Sequence, residues 1–150
     1  MKHIKIIGIG SPFGPDKLGW QVVDQLRHNL AEQNNGVHIN FIQSDRPGLR
    51  LLDLIRNADT AILVDAIDQK DSPGQILELD RHQLLQNEHT LSSHSIGVSD
   101  ALSLAATLGE IPEELVLFGL CVDRSKPEPA CQQQVDLICN RIREYVVNYE

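Results

Sequence analysis

Three residues of this chain have the types and positions to carry chemistry. Asp16 closes the glycine- and proline-rich turn GIGSPFGPD (8–16), Asp65 interrupts the apolar run TAILVDAI (60–67), and His94 precedes SIGVSDALSLAATLG (95–109). Two carboxylates and an imidazole are a donor set that zinc, nickel, manganese or iron accepts, with coordination positions left for water or substrate. Each residue also has an ordinary reading. An aspartate at a helix start is often a cap favoured by the helix dipole, which serves Asp16 equally well. Asp65 resists that treatment, because an unpaired charge at the end of a buried strand is costly and favours a site role. His94, taken alone, is one loop histidine among six, and His3, His28, His38, His82 and His89 have no better claim.

Gly8, Gly10 and Gly14 give G-x-G-x-x-x-G, close to the dinucleotide spacing G-x-G-x-x-G but not equal to it. The chemistry of the turn opposes a phosphate. Pro12 and Pro15 remove two backbone N–H donors, and Asp16 places negative charge where a helix N-terminus would attract an anion. A turn built this way presents a ligand to a cation. There is no G-x-S-x-G elbow, and of the three cysteines only Cys121, at the end of an apolar run, falls near the proposed crevice. Cys131 and Cys139 are expected on the last helix as packing residues.

These side chains must be gathered by the fold. HIKIIGIG (3–10), TAILVDA (60–66) and ELVLFGL (114–120) read as strands buried on both faces of a parallel sheet, with VHINFIQ (37–43) as another. GQILELD (74–80) carries polar residues at 75, 78 and 80 and is expected at an edge, with an antiparallel direction allowed. Helical spacing fills the gaps: Val23, Leu26 and Leu30; Leu51, Leu52 and Ile55; and, from about Ala130, Val135, Ile138, Ile142 and Val146. Ser99 is the expected N-cap of a helix whose inner stripe is Leu102, Ala105 and Leu108 and whose stop is Gly109, followed by Pro112. The expectation is an α/β three-layer sandwich, with about five strands in a mostly parallel twisted sheet and helices on both faces. Ligands of such sheets sit at the carboxyl ends of the strands, which is where Asp16 and Asp65 fall and where His94 is expected to join them.

With 150 residues the chain fits one domain, residues 1–150, able to bury about 70% of the surface that the unfolded chain exposes. A formal charge of −8 without a basic run argues against nucleic acid as a partner. Three cysteines without a C-x-x-C pair support neither a disulfide framework nor a zinc ribbon, which suits the cytoplasm. IIGIG is too short for a signal core and no apolar run approaches the roughly 20 residues of a membrane span, so export and membrane insertion are not expected.

Three stretches together, IIGIGSPFGPDKLGW (6–20), AILVDAI (61–67) and HSIGVSDALSLAATLGEIPEELVLFGL (94–120), resemble the hydrogenase maturation protease family. Members trim the C-terminus of the nickel-iron hydrogenase large subunit. The resemblance implies a hydrolase, an aspartyl- or metal-dependent endopeptidase that acts on the large-subunit precursor after nickel insertion. It also implies that Asp16, Asp65 and His94 are the nickel-binding trio, that the nickel comes with the precursor, and that no cofactor is permanently bound. A monomeric or weakly associating protein is expected. Two departures from the family pattern bear on which precursor is served: Pro15-Asp16-Lys17 stands where an acidic pair and a glycine are common, and QSDRPG (43–48) replaces a DGGT-like stretch. The competing expectations are a nucleotide-binding α/β module and a non-catalytic escort of the precursor.

Overall fold

The computed structural model describes residues 2–31, 33–34, 36–86 and 96–148. The elements run β1 (Lys2–Gly10), a 3-10 turn (Gly14–Lys17), α1 (Leu18–Asn29), β2 (Gln33–Asn34), β3 (Val37–Asp45), a second 3-10 turn (Gly48–Arg50) and α2 (Leu51–Ile55). Then come β4 (Thr60–Asp68), β5 (Ile76–Asp80), α3 (Arg81–Gln86), α4 (Ile96–Leu108), β6 (Glu114–Val122) and α5 (Gln132–Val147). One sheet has the order β2-β3-β1-β4-β6-β5. The β1–β3, β1–β4 and β4–β6 pairs are parallel, whereas β2 and β5 run antiparallel to their neighbours.

The apolar runs become the central strands because both their faces are covered. Ile4, Ile6, Ile62, Val64, Val116 and Phe118 point to a core closed by α1 and α5. The alternate residues, among them Ile7, Ala61, Leu63, Ile67 and Leu117, point to a second core closed by α2, α3 and α4. This period of two, buried on both sides, leaves no place for charge except at the strand ends.

All five expected strands are present, and β5 takes the antiparallel edge position. The short connection 69–75 returns the chain at the same edge of the sheet, so β5 must run backwards, and β6 later fills the gap beside β4. The two-residue β2 and the short α3 were not anticipated.

Three expectations about the helices are corrected. α4 already begins at Ile96, so Ser99 lies inside the helix and is not its N-cap. Val98, Ala101, Leu102 and Ala105 form the buried stripe, while Leu108, in the last turn just before Gly109 turns the chain with φ +70, is 53% exposed. Cys131 is the exposed residue preceding α5 rather than a packing residue within it; Cys139 is buried as expected.

Candidate active site

The sheet reverses its winding between β1 and β4. From β1 the chain crosses over α1 to β3 on one side, and from β4 it proceeds to β6 and β5 on the other. The loops leaving β1 and β4 therefore diverge and open a crevice between their carboxyl ends, the usual ligand position in such sheets. Asp16 is in the 3-10 turn after β1, and Asp65 is near the end of β4.

Close backbone packing sets the position of Asp16. A Cβ on Gly19 would lie 2.5 Å from the Ile9 carbonyl oxygen and 2.7 Å from that of Val64, so only glycine lets the first turn of α1 rest on both strands. A Cβ on Gly10 would overlap the Asp16 carbonyl oxygen, which accepts a hydrogen bond from the Ser11 amide at 3.1 Å. The glycines of this turn are used to press the chain onto the ends of β1 and β4, not to cradle a phosphate.

Asp65 is paired in register with Gly119 of β6 and alternates with Leu63 and Ile67 on the face covered by α4. Only 4% of it is exposed, which makes it the one buried carboxylate among the described residues. A charge at this depth needs an opposite charge nearby.

Arg124, in the loop that follows β6, supplies it. Its Nη2 lies 3.1 Å from Asp16 Oδ1, with both side chains 18% exposed, and also donates to the Ala66 carbonyl oxygen at 3.4 Å. Its backbone N–H donates to Asp68 Oδ1 at 3.3 Å. Burial pulls the Arg124 pKa down; the charges of Asp16, Asp65 and Asp68 oppose that fall, and Arg46 adds to it. The side chain stays a cation, since a guanidinium does not lose its proton in proteins. Asp16, from the turn after β1, and Asp65, from the last half of β4, thus act on a single guanidinium. Arg124 stands just beyond the end of β6, a position of the same kind as that of Asp16 after β1, but neither its residue type nor its neighbours mark it in the sequence.

The variant loop after β3 is tied to the same edge. Arg46, with φ +43, donates its amide to the Gly10 carbonyl oxygen at 3.0 Å. Gln43, at the position where the family pattern has an acid, turns its amide to α1, donating to the Trp20 carbonyl oxygen and to Asp24 Oδ1, both at 3.0 Å. Trp20 Nε1 returns a bond to the Ser44 carbonyl oxygen at 3.2 Å. Gln43 therefore fastens β3 to α1.

A cleft of about 150 Å³ adjoins the crevice, bordered by Pro15, Pro73, Gly74, Cys121, Lys126 and Pro129. Burial pushes the Cys121 thiol above its usual pKa, which weakens it as a nucleophile. Among the described residues no three His, Cys, Asp or Glu side chains form a metal-holding group. His94 lies outside the described residues, and α4 begins two residues after it.

Comparison with known proteins follows the same lines. The family model described as hydrogenase maturation protease matches residues 20–147, a span that contains Asp65 and His94 and starts just past Asp16. The hydrogenase 2 maturation protease of Escherichia coli is 25% identical over 148 residues, covering 97% of this chain and 88% of the relative. The hydrogenase expression/formation protein HupD of Thiocapsa roseopersicina is 29% identical over 121 residues; the match covers 79% of this chain but only 53% of HupD, so the chain spans about half the length of that relative. Among solved structures, the hydrogenase maturating endopeptidase HybD of E. coli superposes with a TM-score of 0.79 at 21% identity, over 99% of this chain and 94% of the other. HybD of Thermococcus kodakarensis superposes with a TM-score of 0.63 at 15% identity, over 99% of both chains. With the shared fold, and a family match that runs through most of the sequence, this chain belongs to the hydrogenase maturation protease family.

Proposed function

We propose that the protein is an endopeptidase that removes the C-terminal extension of a nickel-iron hydrogenase large-subunit precursor once nickel has been inserted. One observation carries this reading beyond family membership: Asp16, in the turn after β1, and Asp65, near the end of β4, act on the same cation at the winding reversal. The crevice is built for positive charge, and the carboxylates are hard oxygen donors of the kind a divalent ion accepts.

In this reading the nickel is part of the substrate. Asp16 and Asp65, with His94, complete the coordination of the precursor's metal, which polarises the scissile carbonyl or lowers the pKa of a bound water. Asp16, the more exposed of the two acids, can instead take a proton from the attacking water as general base. The protein holds no metal of its own between turnovers, works as a monomer, and acts in the cytoplasm, where its substrate is assembled. No helix among the described residues is long and apolar enough to cross a membrane.

The test is incubation of nickel-loaded precursor with the protein, followed by mass spectrometry. Loss of a C-terminal peptide supports the protease, and an intact precursor mass in a stable complex supports an escort instead. Undiminished cleavage by His94→Ala would remove that residue from the site. A nucleotide-binding role is not favoured, because the glycine turn is filled by its own backbone packing.

A further inference from the structure

Arg124 does not make the bonds expected of an arginine kept for stability. Its Nη2 reaches Asp16 and the Ala66 carbonyl oxygen, but its Nε is buried without a hydrogen-bond partner. A structural arginine at this depth normally has its donors filled, because each unmet donor costs free energy. Here the charge is matched and the hydrogen bonding is incomplete. The residue leads the loop 123–131, so its side chain can leave the crevice by rotation while its own amide keeps the bond to Asp68.

Resting on the site assignment above, we propose that Arg124 is a built-in placeholder cation: it occupies the Asp16–Asp65 crevice when no precursor is bound, excludes free divalent ions, and must release Asp16 before a substrate metal is coordinated. Carboxylates that face each other without a counter-ion repel and attract any available metal ion. A guanidinium at 3.1 Å from Asp16 removes both problems. Arg46, which also acts on Arg124, adds positive charge against a second cation. A free metal ion must displace the arginine unaided. A metal held by a docked precursor brings the binding energy of the whole interface, which offsets the displacement. The placeholder thus restricts the site to metal presented by the substrate. Arg124 is a positioning residue in this scheme, since it contacts a ligand residue and not the reacting atoms.

The test is calorimetric titration of the full chain with Ni²⁺ alone, without precursor, at neutral pH. Arg124→Gln is expected to bind Ni²⁺ at least about tenfold more tightly than the wild type, and Asp16→Asn in the same background is expected to remove the gain. Arg124→Lys keeps a cation and should stay within about threefold of the wild type. Thermal melts of the Lys and Gln variants show whether each is folded, and the Lys variant preserves the test if the Gln variant is not: a tenfold gain for Lys would overturn the proposal. So would unchanged affinity in folded Arg124→Gln, or a gain that survives Asp16→Asn. Cleavage of nickel-loaded precursor by the wild type is measured separately. Cleavage without the affinity gain leaves the protease reading standing and removes the placeholder, and the gain without cleavage does the reverse.

Discussion

The two ends of the sheet each hold an arginine between acids, and they are built on opposite terms. At the amino end Arg56 reaches Glu110 through Nη2 and Nε, both at 3.0 Å, and Asp53 through Nη1 at 3.2 Å. Its side chain is 42% exposed. At the carboxyl end Arg124 meets Asp16 at 3.1 Å with both side chains 18% exposed, and its Nε is left over. The wetter cluster is the better bonded. Arg56 is a surface strap across the loops before β4 and β6, whereas the Arg124 group accepts burial without full bonding, as sites that must change partners do. Size does not distinguish them in the same way. The amino end has a groove of about 590 Å³ lined by Glu78, Asp80, Arg81, His82, Glu114 and Tyr145, nearly four times the volume beside the proposed site. The proposed site lies where the strand ends and the winding reversal place charge, not in the larger of these two spaces.

Substitutions that keep shape and remove charge should break the comparison most sharply. Asp65→Asn is expected to lower single-turnover cleavage of nickel-loaded precursor by about 10³-fold, the equivalent of several kcal/mol of lost stabilisation at the metal. The corresponding change at the other end, Glu110→Gln, should leave cleavage within about twofold. Equal losses in the two would end the claim that the ends differ in role.

The backbone seat under Asp16 comes next. Gly19→Ala forces a methyl group against the Ile9 and Val64 carbonyl oxygens and is expected to cost about 2–3 kcal/mol in urea denaturation. A well-tolerated alanine would mean that α1 can ride higher and that the position of Asp16 is not set by this contact.

The two ion pairs themselves give a smaller contrast. Asp16→Asn should cost about 1–2 kcal/mol, because it weakens the partner of a largely buried guanidinium. Arg56→Ala should cost no more than about 1 kcal/mol, because its pairs lie in water. A reversed order would show that the amino-end strap, not the carboxyl-end group, bears the energy.

The smallest effect is one that neither end should show. Burial pushes the Cys139 thiol from its usual 9 up to about 11, with the nearby Arg143 opposing the rise and Asp136 adding to it. The folded state favours the neutral thiol. The stability contribution is complete below pH 9, declines as the unfolded chain ionises first, and is lost as pH rises through about 11. Melting temperature should fall across that window, less so in Cys139→Ala, while both arginines keep their charge.

Much of the fold was legible because apolar runs have few other destinations. TAILVDA and ELVLFGL became strands buried on both faces, and the polar alternation of GQILELD put it at an edge. Helix ends were harder to read. Ser99 looks like a cap by type, but Ile96 to Val98 already continue the helix, and a local preference worth about 1 kcal/mol yields to the packing of Val98 against the sheet. Leu108 shows the same limit, since period alone does not reveal how far along a helix its apolar stripe stays covered.

For the proposed site, residue types and strand ends pointed to Asp16 and Asp65, and the fold places both toward the carboxyl edge of the sheet. The chain order also determined that the loops after β1 and β4 would share one edge, because parallel strands all end on the same side. The identity of the cation that those acids face was a different matter. Arg124 is far from both in the chain, and an Asp-Arg-Ser turn has no spacing signature, so only the completed sheet brings it to 3.1 Å from Asp16. Charge attraction acts through space, and the chain encodes it only by way of the packing that closes the distance.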